Sequence, residues 1–347
     1  MKIIKYTAII AALASVGSVT SCKNSDQDFP DYQGGTSVYF AKQSPVRTLV
    51  MGDDTYDTSM DNAHKCTIYA TMGGAYKGRD ISLEIAVDPT LTDNLTFDGT
   101  RPVKAMPESY YKLASNTISY GGSHMGGVEV EFTDAFFNDP DALANNYVIP
   151  LVIKSQKGAD RILTGTPAVE GNMPPRTLSS AWSEQPKDYV LYCVKYINKY
   201  DAEYAVRGLD KITEGGVTVT NVRHEQYVEN DELRTVHTRN LTTAVYPVST
   251  VFTLPGGTKQ TATCDLVLTF DGNDQCTVST ATEGCTASGT GKFVRNGEKN
   301  SWGNKDRNAL YLDYTVDFGT RQVATLDTLV VKSRNVSYEE FTPEYKN

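Results

Sequence analysis

The sequence has no excess of basic residues and no run of them. Its 33 lysines and arginines are outnumbered by 42 aspartates and glutamates, which gives a formal net charge of −9 at pH 7. Proteins that bind nucleic acid generally present a basic surface to the phosphate backbone. We therefore expect no nucleic-acid partner.

A recognisable catalytic motif is also lacking. The nearest pattern is Gly122-Ser123-His124-Met125-Gly126, in which the second glycine falls one residue later than in the hydrolase nucleophile elbow. That elbow also requires a strand, a sharp turn and a helix, whereas this segment lies between two short alternating runs. The pattern predicts a turn between strands, and we expect no enzyme activity.

Metal ligands are few and poorly spaced. There is no C-x-x-C pair. His224 and His237 would face each other if Asn230-Asp231 formed a two-residue hairpin turn, but a metal site would still need a third ligand. The acidic residues of one loop lack the spacing of a calcium loop; they are Asp53, Asp54, Asp57 and Asp61. We therefore expect no metal and no cofactor.

One long apolar run is present, at the start of the chain. Lys2 and Lys5 precede the run from Tyr6 to Val19, and Thr20-Ser21-Cys22 follows it. The run is shorter than the roughly 20 apolar residues that a spanning helix needs. Its order matches a signal peptide, and small residues before a cysteine match the bacterial lipobox. We predict removal of residues 1–21 and lipid attachment at Cys22; an ordinary signal peptide with an incidental cysteine is the alternative.

Five cysteines remain besides Cys22. They are Cys66, Cys193, Cys264, Cys276 and Cys285. Because the number is odd, at least one stays a thiol even where disulfides form. The last three are close enough in sequence for one pair to join neighbouring strands, but the sequence does not select the pair.

Alternating apolar and polar residues dominate the rest of the chain. Residues 22–36 are polar and predict a tether, and residues 37–155 contain six or seven short alternating runs, as expected of an antiparallel β-sandwich. Residues 156–188 are rich in glycine and proline and predict a linker. Residues 189–347 contain eight or more runs separated by turn signals, which favours an up-and-down β-barrel because closure removes exposed edges. A short helix is expected only within 134–145.

Several of these runs resemble two known domains. The segments 110–113, 117–122, 128–132 and 147–151 are similar to an immunoglobulin-like domain of unknown function at the front of Bacteroidetes surface lipoproteins and some chitinase-like endoglycosidases. The segments 198–204, 302–307 and 327–331 resemble the lipocalin-like domain often joined to it. The resemblance implies an outer-membrane lipoprotein, exposed at the cell surface, that works with components of a starch-utilisation-like glycan uptake system.

Aromatic residues suggest where a sugar would bind. Trp302 lies in a long polar segment between two predicted strands, and Trp182 lies in the predicted linker. A flat aromatic face suits the C–H side of a pyranose, so we expect these residues to bind an oligosaccharide or polysaccharide. Alternatively, Trp302 plugs one barrel end and Trp182 packs between domains. Other functional hypotheses are a fimbrial subunit and a barrel that carries a small apolar ligand.

Overall fold

The computed structural model describes residues 29–253 and 257–346, so the predicted signal peptide and Cys22 lie outside the described residues. These residues contain two short α-helices, α1 (Ser59–Asn62) and α2 (Asp134–Phe137), and six 3-10 turns: Pro89–Thr92, Glu108–Tyr110, Pro140–Leu143, Ser179–Ala181, Val228–Asn230 and Trp302–Asn304. The strands are β1 (Ser37–Tyr39), β2 (Pro45–Val50), β3 (Lys65–Gly73), β4 (Ser82–Val87), β5 (Leu95–Thr96), β6 (Lys104–Ala105), β7 (Tyr111–Leu113), β8 (Thr117–Ser119), β9 (Met125–Phe132), β10 (Tyr147–Lys157), β11 (Arg161–Ile162), β12 (Thr166–Pro167), β13 (Trp182–Glu184), β14 (Tyr189–Ile197), β15 (Ala202–Glu214), β16 (Val217–Arg223), β17 (Glu232–Thr238), β18 (Thr243–Thr253), β19 (Lys259–Phe270), β20 (Gln275–Thr280), β21 (Thr286–Ser301), β22 (Lys305–Asp317), β23 (Arg321–Ser333), β24 (Glu339–Glu340) and β25 (Glu344–Tyr345).

The first unit is a sheet folded into two layers. Its strands follow the order β11-β1-β3-β9-β8-β4-β10-β14-β2-β24, with β6 on β10 and β7 on β9. Side chains from β3 and β9, such as Ile68 and Val128, share one buried cluster with Leu151 and Val194 from β10 and β14. Alternation along β3 explains this packing, because every second side chain points to the core.

The second unit does not begin at residue 189, as the sequence predicts, but after β14. The turn pattern predicts that residues 189–197 begin the second unit, but β14 pairs with β10 and β2 of the first. At the chain's end, β24 pairs with β2 and β25 with β5. Phe341 and Tyr345 also pack on a second apolar cluster of the first unit that contains Leu191. Both segments therefore belong to the sandwich.

The second unit is a closed antiparallel barrel. Strands β15 and β17–β23 pair in sequence, and β15 also pairs with β23 from Glu203↔Ser333 to Glu214↔Arg321, which closes the ring at eight strands. Strand β16 pairs with the C-terminal half of β15, from Gly208 to Glu214. The two strands are joined by the Gly215-Gly216 turn, in which both glycines have positive φ. The expected all-β fold with a barrel after a sandwich is thus confirmed.

One local expectation is confirmed and another only in part. The segment 134–145 contains α2 and a 3-10 turn, but the expectation that a short helix lies only there is wrong, because α1 forms at Ser59–Asn62. The glycines before Ser123 form a turn between β8 and β9, with φ of 55° at Gly121 and 83° at Gly122. Within residues 29–253 and 257–346, no helix has the length and apolar character required to cross a membrane.

The hairpin that would pair His224 with His237 is not formed. Strands β16 and β17 both pair with β15 and not with each other. The intervening loop is wider than two residues because the Asp231 carboxylate accepts hydrogen bonds from the Glu225 N–H (2.7 Å) and Arg207 Nε (2.8 Å). In the described part of the chain, no cluster of three or more His, Cys, Asp or Glu side chains has the geometry of a metal site.

Candidate functional site

The junction between the two units is fixed by Arg334, which follows β23. Its buried guanidinium donates to the main-chain oxygens of Asn198 and Asp201, both at 2.6 Å. It also reaches the oxygens of Met51 (3.2 Å) and Asp53 (3.3 Å), on a loop of the sandwich. Burial lowers the pKa of Arg334 below the usual arginine value. One cation thus binds carbonyl groups from both units.

Asn198 reinforces the same junction between β14 and β15. Its side chain is fully buried, and its Nδ2 donates to the oxygens of Asn240 (2.8 Å) and Thr243 (3.0 Å). Its Oδ1 accepts from the N–H groups of Tyr200 and Asp201, both at 3.0 Å. A buried amide with donors and acceptors satisfied holds a single chain path. The connection is therefore a fixed corner.

A polar cleft opens beside this corner, and we call it the junction cleft. Its main hollow, of about 490 Å³, lies between the sandwich loop 53–56 and the barrel segments 295–296, 305–308 and 331–336. A second hollow of about 480 Å³ also touches Asp53, Arg295 and Asn308. The two hollows meet at the ion pair between Arg295 Nε and Asp53 Oδ2 (2.7 Å). Together they make a groove along the boundary of the two units.

The walls of the junction cleft carry planar polar groups. Its amides come from Asn296, Asn308 and Asn335, and its charged groups include Asp54 and Arg307. The Asn308 Oδ1 accepts a hydrogen bond from the Asn296 N–H at 2.9 Å, which fixes that amide while leaving its NH₂ group to donate. Such groups match the alternating donors and acceptors of a hydroxyl-rich ligand.

Tyr56 supplies an aromatic ring to the same cleft. It lines the main hollow, and 45% of its surface is exposed. Partial burial, together with the nearby carboxylates of Asp54 and Asp61, raises the pKa of the Tyr56 hydroxyl. Tyr56 lies in the acidic loop of Asp53, Asp54, Asp57 and Asp61, which the sequence presents only as a calcium candidate. An aromatic residue among aspartates and threonines was the available signal.

Trp302 lies next to the junction cleft. It is half-buried in the 3-10 turn between β21 and β22. The Lys332 ammonium lies 5.3 Å from its ring centroid, and Arg307 Nε donates to its main-chain oxygen at 2.9 Å. Both basic residues line the cleft. The structure therefore places Trp302 behind the cleft wall.

Trp182 lies elsewhere and has no exposed face. Only 7% of its surface is exposed, and its indole Nε1 donates to the main-chain oxygen of Pro175 at 3.0 Å. It belongs to β13, which pairs with β12 within the predicted linker. Because a sugar must lie flat on an exposed ring, this burial does not support the expected role of Trp182 in glycan binding.

The barrel interior is filled by side chains. Buried residues from its strands form a continuous core; they include Tyr200, Tyr204, Tyr246, Leu266, Leu268, Phe293, Leu310, Leu312, Tyr314 and Leu329. A hollow of about 280 Å³ remains at the end far from the junction, and Arg223, Arg234 and Arg321 contribute to its lining. A packed interior with arginines at its open end is a poor container for an apolar ligand.

A buried charge network lies beneath that hollow. Arg223 forms ion pairs with Asp210 (2.7 Å) and Asp327. The Asp327 carboxylate also accepts hydrogen bonds from the hydroxyls of Tyr314 (3.0 Å) and Tyr246 (3.3 Å). Burial raises the pKa of Asp327 despite the opposing effect of Arg223. The network fixes four strands of the barrel relative to one another.

The fold and the cleft define a class: a two-unit β protein whose sandwich and closed barrel share a polar groove. Residues 199–335 match the domain of unknown function DUF5627, and residues 31–160 match the model of an N-terminal domain. A Bacteroides ovatus protein of unknown function is 42% identical, with a TM-score of 0.84; the alignment covers 91% of this chain and 100% of that one. The chain belongs to the same family as that protein.

A second Bacteroides ovatus structure, described as a candidate carbohydrate binding protein, is 11% identical to this chain. Its alignment covers 90% of this chain and 98% of that one, with a TM-score of 0.27. A similarity at that level does not establish a common fold. No protein among curated sequences matches the chain.

Proposed function

We propose that the chain is a non-catalytic lipoprotein of the outer-membrane surface that binds oligosaccharides in the junction cleft for a polysaccharide uptake system. The observation that carries this proposal is the composition of the cleft wall: amide, carboxylate and guanidinium groups beside the exposed ring of Tyr56. Sugars present hydroxyl groups around a ring with an apolar C–H face. A groove that offers both kinds of contact suits them.

Because the junction is fixed, the binding site in the junction cleft is formed before a ligand enters it. Arg334 binds main-chain oxygens of both the sandwich loop, at Met51, and Asn198, and the Asn198 side chain in turn donates to the Asn240 oxygen of the barrel. A ligand that enters the junction cleft therefore does not have to order the two units first, and less binding free energy is lost to ordering. The junction cleft also offers a second hollow beside the first, since both hollows have Asp53, Arg295 and Asn308 in their linings.

A glycan array probed with the mature chain is the first test, followed by calorimetry of the best ligand. Tyr56→Ala and Asn308→Ala should each weaken binding about tenfold, equivalent to about 1.4 kcal/mol. Tyr69→Ala is the matched control, because Tyr69 is 55% exposed on β3 and does not line the cleft. Equal affinity for Tyr56→Ala and the control would refute the cleft as the binding site.

Trp302 is tested separately because its ring lies behind the wall. Trp302→Ala should reduce retardation in glycan-affinity electrophoresis by removing the ring against which the Lys332 ammonium lies in the cleft wall. A control for nonspecific loss is the same measurement on Lys112→Ala, an exposed residue of β7. Unchanged retardation of Trp302→Ala would remove that residue from the site.

The location of the protein rests on Cys22 and is tested by mass spectrometry of the native protein. We expect residues 1–21 to be absent and a diacylglycerol to be attached to the Cys22 sulfur. Protease treatment of intact cells should then degrade the protein if it faces outward. An unmodified Cys22 or a retained leader would contradict the anchor. Glycosidase and esterase screens on the purified protein should detect no turnover.

A further inference from the structure

Two cysteine sulfurs meet at the end of the barrel far from the junction. Cys264 lies on β19 with its side chain in the core, and Cys285 immediately precedes β21. Their Sγ atoms are in direct contact, 2.6 Å apart. Gly284, directly before Cys285, has a φ of 82°, a left-handed conformation that glycine adopts without a steric cost.

The other cysteines of the described residues do not compete for this contact. Cys66 and Cys193 are buried in the sandwich. Cys276 faces Gly291 on the neighbouring strand, within the barrel core. The structure therefore selects one pair among the three cysteines of the segment 264–285.

We propose that Cys264 and Cys285 form a disulfide bond that ties β19 to the start of β21 across β20. The oxidant is a disulfide, either of a protein or of a small thiol. The Cys285 thiolate attacks one sulfur of that disulfide and releases one thiol, which leaves a mixed disulfide on Cys285. The sulfur of Cys264 then loses its proton and displaces the second thiol. The two cysteines lose two electrons, and the oxidant gains them with two protons.

The accessibility of the two thiols sets the order of these steps. Cys285 is partly exposed, whereas Cys264 is fully buried. Burial, with a contribution from the contact with Cys285, raises the pKa of the Cys264 thiol to about 12. Because the thiolate is the nucleophile, Cys285 meets the oxidant first. In the cell the bond requires an oxidising compartment, which the proposed export supplies.

Peptide mapping tests the bond directly. The full chain is purified after export, unfolded without reductant and alkylated. Trypsin leaves Cys264, Cys276 and Cys285 on the single fragment 260–292, so cleavage at Asp271 and at Glu283 is needed to separate them. We expect a cross-link between the fragments of Cys264 and Cys285, and alkylated Cys276. A cross-link to Cys276 would overturn the assignment.

A thermal measurement provides the second arm. Closing a loop of this length is expected to raise the melting temperature by about 5–10 °C, so reductant should lower that of the wild type by this amount. Cys285→Ser should have the melting temperature of the reduced wild type, and reductant should not change it. This variant is chosen because Cys285 is partly exposed, so that its replacement leaves no large cavity. Cys276→Ser is the control and should keep the response.

Oxidation of the purified, reduced protein with glutathione disulfide separates this proposal from the proposed location. If the bond forms in vitro but not in cells, the pair is correct and the export proposal fails. If Cys264 and Cys285 both remain alkylatable after treatment with glutathione disulfide, the disulfide proposal is wrong wherever the protein resides.

Discussion

Replacing Arg334 by alanine would remove the cation that holds the two units together. Four main-chain oxygens would lose a charged donor, two of them at 2.6 Å and two at 3.2 and 3.3 Å. A hydrogen bond to a charged group is worth roughly 1.5–3 kcal/mol. The two longer contacts count for less, and water can replace some of the lost donors. We therefore expect a loss of about 3–5 kcal/mol in the free energy of unfolding.

Arg295→Ala is the matched comparison for Arg334→Ala. It also removes an arginine that crosses the junction, but the Arg295 side chain is 73% exposed and its partner Asp53 is 48% exposed. Exposed ion pairs typically contribute below about 1 kcal/mol. Urea denaturation of the wild type and both variants should therefore give a large loss for Arg334→Ala and a small one for Arg295→Ala.

Calorimetry of Arg334→Ala would show whether the variant loses stability because the two units no longer unfold together. If Arg334 couples the units, the alanine variant should melt in two separate steps, one for the sandwich and one for the barrel. Arg334→Lys should restore part of the coupling, since an ammonium can reach some but not all of the four oxygens. Equal small losses for Arg334→Ala and Arg295→Ala, with one shared transition, would refute the reasoning.

Three further changes probe the interior. Asn198→Ala should cost about 2–4 kcal/mol by urea denaturation, because it removes the hydrogen-bond partner of the Asn240 oxygen and of the Tyr200 N–H, and one of the partners of the Thr243 oxygen and the Asp201 N–H; a loss like that of a surface alanine variant would contradict this. Tyr204→Phe should cost about 1 kcal/mol, since the buried hydroxyl donates to the Tyr200 oxygen at 2.6 Å, and an unchanged denaturation midpoint would argue against that bond. The raised pKa of Asp327 means that the folded state keeps this proton to higher pH than the unfolded chain. Its contribution to stability should therefore decline as pH rises from the usual aspartate range through the native pKa, and Asp327→Asn, followed over the same pH series, should lack that decline.

Much of the fold follows from local sequence patterns. Alternation over residues 65–73 buries Cys66, Ile68, Ala70 and Met72 in the core, as period-two patterning requires. Turn signals such as Gly215-Gly216 join β15 to β16. These signals are short in range, because a residue's preference for strand or turn depends on itself and its neighbours.

The pairing of strands that are far apart in the chain could not be predicted from local sequence patterns. Strand β14 has an almost continuous apolar run, which is typical of a strand buried on both faces, yet nothing in that run names β10 and β2 as its partners. The return of β24 and β25 to the sandwich likewise joins residues that are far apart in the chain. Alternation predicts which face of a strand is buried, but it does not identify the strands that pack against that face.

The candidate site shows the same division. By itself, the sequence determined two β-rich units; the leader ending before Cys22 and the aromatic candidates for sugar binding were predictions. Only the tertiary structure decided that Trp182 is buried, that Tyr56 faces the junction cleft, and that Cys285 rather than Cys276 meets Cys264. The physical reason is that exposure and contact depend on which distant strands close over a side chain, and closure is a property of the whole chain.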